Sequence, residues 1–136
     1  MRIGLIGTGN MGTALIKGYV AANPGSEKEI FAYDRIEESL KNLVRETEIQ
    51  SSKSIGAVVQ KSDILVLAVK PNVFSEVLKE LVAISGWNRK IIVSVAAGIS
   101  LEYISAQCME LSGFSESDGD FLCKIVRVMP NTPALI

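Results

Sequence analysis

The sequence predicts an α/β chain with a doubly wound, mainly parallel sheet and helices on both faces. Three observations predict it. Apolar runs of strand length alternate with stretches of helical periodicity from Arg2 to Met129, the pattern of successive βαβ units. One run, Ile64 to Val69, reads Ile-Leu-Val-Leu-Ala-Val without a polar break, as a strand covered on both faces does. The first strand-to-helix turn carries Gly7, Gly9 and Gly12, spaced to let the backbone turn tightly and pack closely.

The elements follow in order. Arg2 to Ile6 is a short apolar run stopped by Gly7, which reads as a buried strand. Met11, Leu15, Gly18, Tyr19 and Ala22 recur at helical spacing, and Asn23-Pro24-Gly25 ends that helix. Glu29 to Asp34 alternates, with Ile30 and Ala32 on one side and Phe31 and Tyr33 on the other, as a second strand does. Ile36 to Arg45 is helical, with the stripe Leu40, Leu43 and Val44, and Ile55 to Gln60 is a short helix. Asp63 to Val69 is the third strand. Pro71 stands where helices start, and Phe74, Val77, Leu78, Leu81 and Val82 stripe the helix that Ser85-Gly86 ends. Lys90 to Val95 is the fourth strand. Ser100 caps a helix striped by Leu101, Ile104, Cys108 and Leu111, with Glu102 at its positive end. Residues 112–120 are small and acidic and read as a loop, and Lys124 to Met129 is the last strand. There is no internal repeat and no interdomain linker. Right-handed crossovers complete the doubly wound arrangement.

Bulk properties exclude several classes. At 136 residues the chain suits one domain, residues 1–136, with one core. A formal net charge of −1 leaves no basic excess to draw nucleic acid or an anionic membrane surface. There is no histidine, so triads, imidazole proton shuttles and His-metal sites are ruled out, and no metal is expected. Cys108 and Cys123 form no CxxC and are too few for a disulfide scaffold, which indicates a reducing compartment. No run approaches the ~18 apolar residues of a membrane span. Arg2 followed by an apolar stretch and Val20-Ala21-Ala22 mimics a secretory signal, but Gly4, Gly7, Gly9 and Gly12 break its apolar region. A cytoplasmic location is expected.

Chemistry is concentrated at strand ends. Gly7-Thr8-Gly9-Asn10-Met11-Gly12 is a GxGxxG that follows a strand and opens a helix, the context of a Rossmann-type dinucleotide site. Gly7 permits the turn, Gly9 lets a pyrophosphate approach the backbone, and Gly12 lets helix and strand pack. The amides of Asn10 and Met11 face the ligand, aided by the helix dipole. Asp34 ends the second strand 22 residues after Gly12 and suits a ribose hydroxyl, which favours NAD; Arg35 beside it suits a 2′-phosphate, which favours NADP. Capping of the next helix is the alternative role for Asp34. Ala68-Val69-Lys70-Pro71 ends the strongest strand and lines the crevice where ligands bind, with proline holding Lys70 extended. Ala96-Ala97-Gly98 ends the next strand with residues small enough for a flat ring to lie against. Met129-Pro130-Asn131-Thr132-Pro133 forms a stiff loop at the same edge.

GTGNMG at 7–12, LAVKP at 67–71, VSVAAGIS at 93–100 and VRVMPNTPA at 126–134 together resemble pyrroline-5-carboxylate reductase, in that family's order and over the whole chain. The last motif is the most specific. The resemblance implies reduction of 1-pyrroline-5-carboxylate to proline by NAD(P)H. Gly7 to Met11 would then hold the pyrophosphate, Ala68 to Pro71 and Ala96 to Gly98 would line ribose and nicotinamide, and Pro130, Asn131 and Thr132 would form a substrate-side loop. NADP(H) is expected over NAD(H), and no catalytic side chain is singled out. The sequence departs from the family where Asp34-Arg35 replaces an Asn-Arg pair or a small polar residue, and where Ser52-Lys53-Ser54-Ile55 offers no asparagine. The family also has a second, helical domain that builds the dimer and much of the substrate pocket. This chain stops at Ile136, so residues 1–136 alone are expected to be inactive and any homo-oligomer to form through that further domain. The partner implied is a small imine. Two alternatives remain: a non-catalytic dinucleotide sensor, and a 3-hydroxyacid or prephenate-type dehydrogenase domain.

Overall fold

A computed structural model describes residues 1–113 and 124–128. In chain order these form β1 (Ile3–Ile6), α1 (Asn10–Ala22), β2 (Ile30–Tyr33), α2 (Glu37–Thr47), β3 (Gln50–Ser51), α3 (Ile55–Lys61), β4 (Ile64–Leu67), α4 (Pro71–Val82), β5 (Ile91–Ser94), α5 (Leu101–Ser112) and β6 (Lys124–Arg127). The strands make one parallel sheet in the order β3-β2-β1-β4-β5-β6. The chain builds outward from β1 to β3, crosses back beside β1 at β4, then builds outward again. The reversal between β1 and β4 is a topological switch point, and ligands of such sheets bind outside the carboxyl ends of the strands there.

Side-chain alternation along the strands divides the core. Leu5, Ile30, Ala32 and Val66 face one way and pack with Ile16 of α1 and Leu40 and Leu43 of α2. Ile6, Leu65, Leu67 and Ile92 face the other way and pack with α3, α4 and α5 through Val58, Phe74, Leu78, Ile104 and Cys108. Each layer therefore has its own apolar cluster, with the sheet between them.

Local signals account for most helix ends. Ser54 Oγ accepts from Ala57 N at 3.1 Å and Ser100 Oγ from Tyr103 N at 3.0 Å, so both helices are capped. Pro71 occupies the first position of α4, where its missing N–H costs nothing. Glu48 ends α2 in a left-handed conformation with φ 63°, the one non-glycine residue with positive φ among those described.

The structure differs from the sequence expectation in three places. The fully buried positions of α1 are Gly12 and Ile16; Met11 and Leu15 of the expected stripe pack beside them half-buried, whereas Gly18 and Ala22 are exposed and Tyr19 is 40% exposed. Close packing at Gly12 turns that face inward. The short strand β3 was not foreseen: it pairs with Phe31 and Ala32 through backbone alone, and both of its side chains are exposed. In α5, Leu101 is exposed, and the stripe keeps Ile104, Cys108 and a half-buried Leu111. The expected loop from residue 114 onward, the thiol Cys123 and the expected strand end at Met129 lie outside the described residues.

Candidate functional site

The strand register brings the sequence-assigned residues to one edge of the sheet. Ile6 aligns with Tyr33 and with Leu67, and Leu67 with Ser94. Gly7, Asp34, Ala68 and Val95 therefore leave the sheet side by side, spanning three inter-strand spacings, roughly 14 Å. The glycine loop, the Asp34-Arg35 pair, the Ala68–Pro71 turn and the Ala96–Gly98 turn share this edge. Pro130, Asn131 and Thr132 lie outside the described residues.

The three glycines do different things. Gly7 has φ 92°, and its N–H donates to the Tyr33 carbonyl at 2.9 Å. A Cβ there would lie 2.7 Å from Val69 Cγ1 and 2.8 Å from the Ala68 carbonyl oxygen. Gly12 is buried, and a Cβ on it would overlap Ala68 Cβ. These two serve the contact between loop and β4. Gly9 is exposed, and a Cβ there would meet only the Ala68 carbonyl oxygen, at 3.2 Å. Gly9 leaves a side-chain-free surface directly before α1. That helix has no side-chain cap and no acidic residue in its first turn, so its positive end is open to an anion. A diphosphate fits this cradle, because the space that a Cβ at Gly9 would fill adjoins the uncapped amides of Asn10 and Met11.

Asp34 ties two loops together. Its Oδ2 accepts from Thr8 N at 2.7 Å and from Thr8 Oγ1 at 2.5 Å. Its Oδ1 accepts from Ile36 N at 2.8 Å. The carboxylate thus closes a tight turn ahead of α2 and braces the glycine loop; it does not cap the helix, the alternative role considered for it, since α2 has no side-chain cap. Oδ2 has both lone-pair directions in use, while Oδ1 keeps one for a further donor such as a ribose hydroxyl. Thr8 is braced in turn, since Thr13 Oγ1 donates to its carbonyl at 3.0 Å. The sequence placed Thr8 among the pyrophosphate-binding residues, without its bond to Asp34. Its one signal was a hydroxyl beside a strand-end carboxylate.

Arg35 is exposed and pairs with Glu76 of α4, Nη1 to Oε2 at 3.7 Å. β1 lies between β2 and β4 in the sheet, so this pair links the segments flanking the carboxyl end of β1. Beside Asp34 and Arg35 a cavity of about 660 Å³ opens, with Tyr33, Lys41, Ser52 and Lys53 on its walls. Lys41 is held by Glu37 at 3.6 Å. Glu76 was absent from the residues expected at the site, because its nearness to Arg35 depends on the crossover of β4 to the side of β1.

On the other side of β1, Ala68 is buried beneath the glycine loop, with its N–H on the Ile6 carbonyl at 2.8 Å. Ala68 therefore supports the loop, and the outward surface falls to Val69, Lys70 and Pro71. Lys70 is exposed and extended, with φ −65° and ψ 149°. Ala96 is buried, whereas Ala97 and Gly98 are exposed, and Gly98 has φ 75°. Ser94 Oγ accepts from Ala96 N at 3.3 Å and stiffens this turn. No group of three or more His, Cys, Asp or Glu converges among the described residues. No helix among them is long and apolar enough to cross a membrane. Burial pushes the Cys108 thiol up to about 11, so it stays protonated and supplies no nucleophile to the site.

Comparison with known proteins agrees with this arrangement. The chain is 36% identical over 135 residues to a pyrroline-5-carboxylate reductase of Methanosarcina acetivorans, a match covering 99% of this chain and 46% of that protein. Among solved structures, a pyrroline-5-carboxylate reductase from Coxiella burnetii superposes with a TM-score of 0.79 at 27% identity, over 97% of this chain and 44% of the other. The Plasmodium falciparum pyrroline carboxylate reductase, solved with NADP bound, superposes at 0.72 with 29% identity, over 98% of this chain and 43% of the other. The chain thus spans about half the length of these relatives. The resemblance drawn from its four motifs holds along the whole chain. The family model described as NADP oxidoreductase, coenzyme F420-dependent, matches residues 2–98, and the chain belongs to that family of nucleotide-binding oxidoreductases.

Proposed function

We propose that the protein to which this chain belongs reduces 1-pyrroline-5-carboxylate to L-proline with NAD(P)H, and that residues 1–136 form the cofactor side of the site. The observation that carries this is the meeting of GTGNMG, LAVKP and VSVAAGIS at one sheet edge, at the β1–β4 switch point. The bound dinucleotide supplies a hydride from nicotinamide C4. The chain's own residues bind and orient. Gly7 to Gly12 hold the pyrophosphate on the open end of α1. Asp34 Oδ1 accepts from the adenosine ribose while Thr8 and Ile36 hold its carboxylate in place. Val69 to Pro71 and Ala97 to Gly98 line the nicotinamide half. A protonated imine carbon is already electrophilic, so this half need supply no strong acid, which suits a chain without histidine.

NADP(H) is the favoured cofactor on this reading, because Arg35 and Lys53 both face the cavity beside Asp34. The substrate carboxylate, oligomer contacts and remaining pocket fall to residues beyond those described. Residues 1–136 alone turn over no substrate, and the protein acts in the cytoplasm. The test measures proline formation from 1-pyrroline-5-carboxylate by the full-length protein with NADH and with NADPH. Turnover with either supports the proposal, and no turnover with both overturns it. Gly9→Ala gives the second arm: its methyl presses on the Ala68 carbonyl oxygen at 3.2 Å and covers the surface offered to the pyrophosphate, so dinucleotide affinity falls tenfold or more in a variant whose folding is checked by urea unfolding.

A further inference from the structure

Arg35 is the residue through which a 2′-phosphate would be recognised, and it is not free. Its guanidinium pairs with Glu76 Oε2 at 3.7 Å, across the carboxyl end of β1. Both side chains are mostly exposed, 64% for Arg35 and 76% for Glu76, so the pair is loose and can be exchanged for a ligand. A 2′-phosphate engaging Arg35 must displace a carboxylate and then remain close to it. Asp34, next in the chain, adds a second negative charge on the same side. A dinucleotide without the 2′-phosphate meets neither cost, since a ribose hydroxyl needs only the acceptor on Asp34. Lys53 and Lys41 face this cavity from its other walls, and Lys41 is already held by Glu37. Glu76 is therefore placed to restrain the cationic side of the site.

We propose that Glu76 is a specificity-determining residue: it competes with the 2′-phosphate for Arg35, lowers NADPH affinity and so keeps NADH usable. This rests on the reading of the crevice as the dinucleotide site. Glu76 touches Arg35, acts through it, and takes no part in hydride transfer.

The test compares dissociation constants of NADH and NADPH for the intact protein and for Glu76→Gln, Arg35→Ala and the double variant, by fluorescence or calorimetric titration. Glu76→Gln is expected to tighten NADPH by about twofold to fivefold, the range for releasing an exposed ion partner. NADH affinity is expected to stay within about twofold. Arg35→Ala should weaken NADPH, and adding Glu76→Gln to it should recover less than the single change does. The NADPH gain should shrink as salt rises. An unchanged NADPH:NADH ratio in Glu76→Gln overturns the proposal. So does a weaker NADPH affinity, which would mean that Glu76 orients Arg35 for phosphate. Absence of binding of either dinucleotide to the wild type defeats the site reading itself, an outcome distinct from both.

Discussion

Gly12 and Gly18 lie in the same helix and are expected to respond to the same substitution with opposite sign. A Cβ on Gly12 would sit more than 1 Å inside the ~3.5–4.0 Å at which two carbons rest, against Ala68 Cβ, and at 3.2 Å from Leu5 Cδ1. Neither neighbour gives easily. Ala68 is fixed by its N–H on the Ile6 carbonyl at 2.8 Å, and Leu5 is fully buried. Helix α1 must lift, and overpacking of this kind costs about 1–3 kcal/mol. The better helix propensity of alanine returns about 0.5–1 kcal/mol. The net expectation for Gly12→Ala is a loss of about 1–2 kcal/mol. Around Gly18 nothing lies within 4 Å, so Gly18→Ala keeps only the propensity gain and stabilises by about 0.5–1 kcal/mol. Urea unfolding of the wild type, the two variants and Gly12→Ala with Ala68→Gly reads all of this. The double variant removes the opposing methyl and should show a coupling of about 1 kcal/mol or more. Equal stability of Gly12→Ala and Gly18→Ala, or strict additivity in the double variant, would refute the packing argument.

Three further expectations follow from the same structure. Thr8→Ala removes one of two bonds to Asp34 Oδ2 and should cost about 0.5–1.5 kcal/mol in urea unfolding, with Thr8→Ser restoring most of it. Glu48→Gly relieves the left-handed residue at the end of α2 and should stabilise by about 0.5–1 kcal/mol; a loss of stability would mean that the cap is not strained. Burial raises the Cys108 thiol from 9.0 to about 11. The unfolded thiol therefore ionises first, and stability should fall as pH rises from about 9 to about 11. The fall should be shallower in Cys108→Ala, and the native thiol should react with a thiol reagent only on unfolding; identical pH profiles for the two proteins would sink this.

The helices and central strands were legible where burial imposes a period. α4 runs from Pro71 to Val82 with its expected stripe, and β4 has the unbroken apolar run of a two-faced strand. In α1, Met11 and Leu15 were legible as core positions and Gly12 was not, because glycine carries no hydrophobic signal, yet Gly12 packs tightly on Ala68 and Leu5. β3 was illegible because Gln50 and Ser51 are exposed and pair through backbone groups, which every residue possesses. At the site, the glycine loop and the strand-end residues could be read from spacing alone. The Thr8–Asp34 and Arg35–Glu76 contacts could not, because each joins segments, loop to loop or loop to α4, that only the sheet order makes neighbours.

The sheet order also dictates a timetable for assembly. β1 is an interior strand, but its partner β4 lies about sixty residues further along the chain. At ribosomal speeds of roughly 5–20 residues per second, β4 emerges roughly 3–12 s after β1. During that interval Leu5 and Ile6, both fully covered in the finished sheet, can pack only on the elements made before β4, from α1 to α3, and one hydrogen-bonding flank of β1 stands unpaired. Parallel pairings between distant segments are slow to close, since the intervening loop loses entropy before any contact repays it. The seam that later receives ligands thus forms only once β4 has emerged, and β5 and β6 must wait for it, so until then the nascent chain is open to aggregation or to capture by a chaperone at the flank of β1.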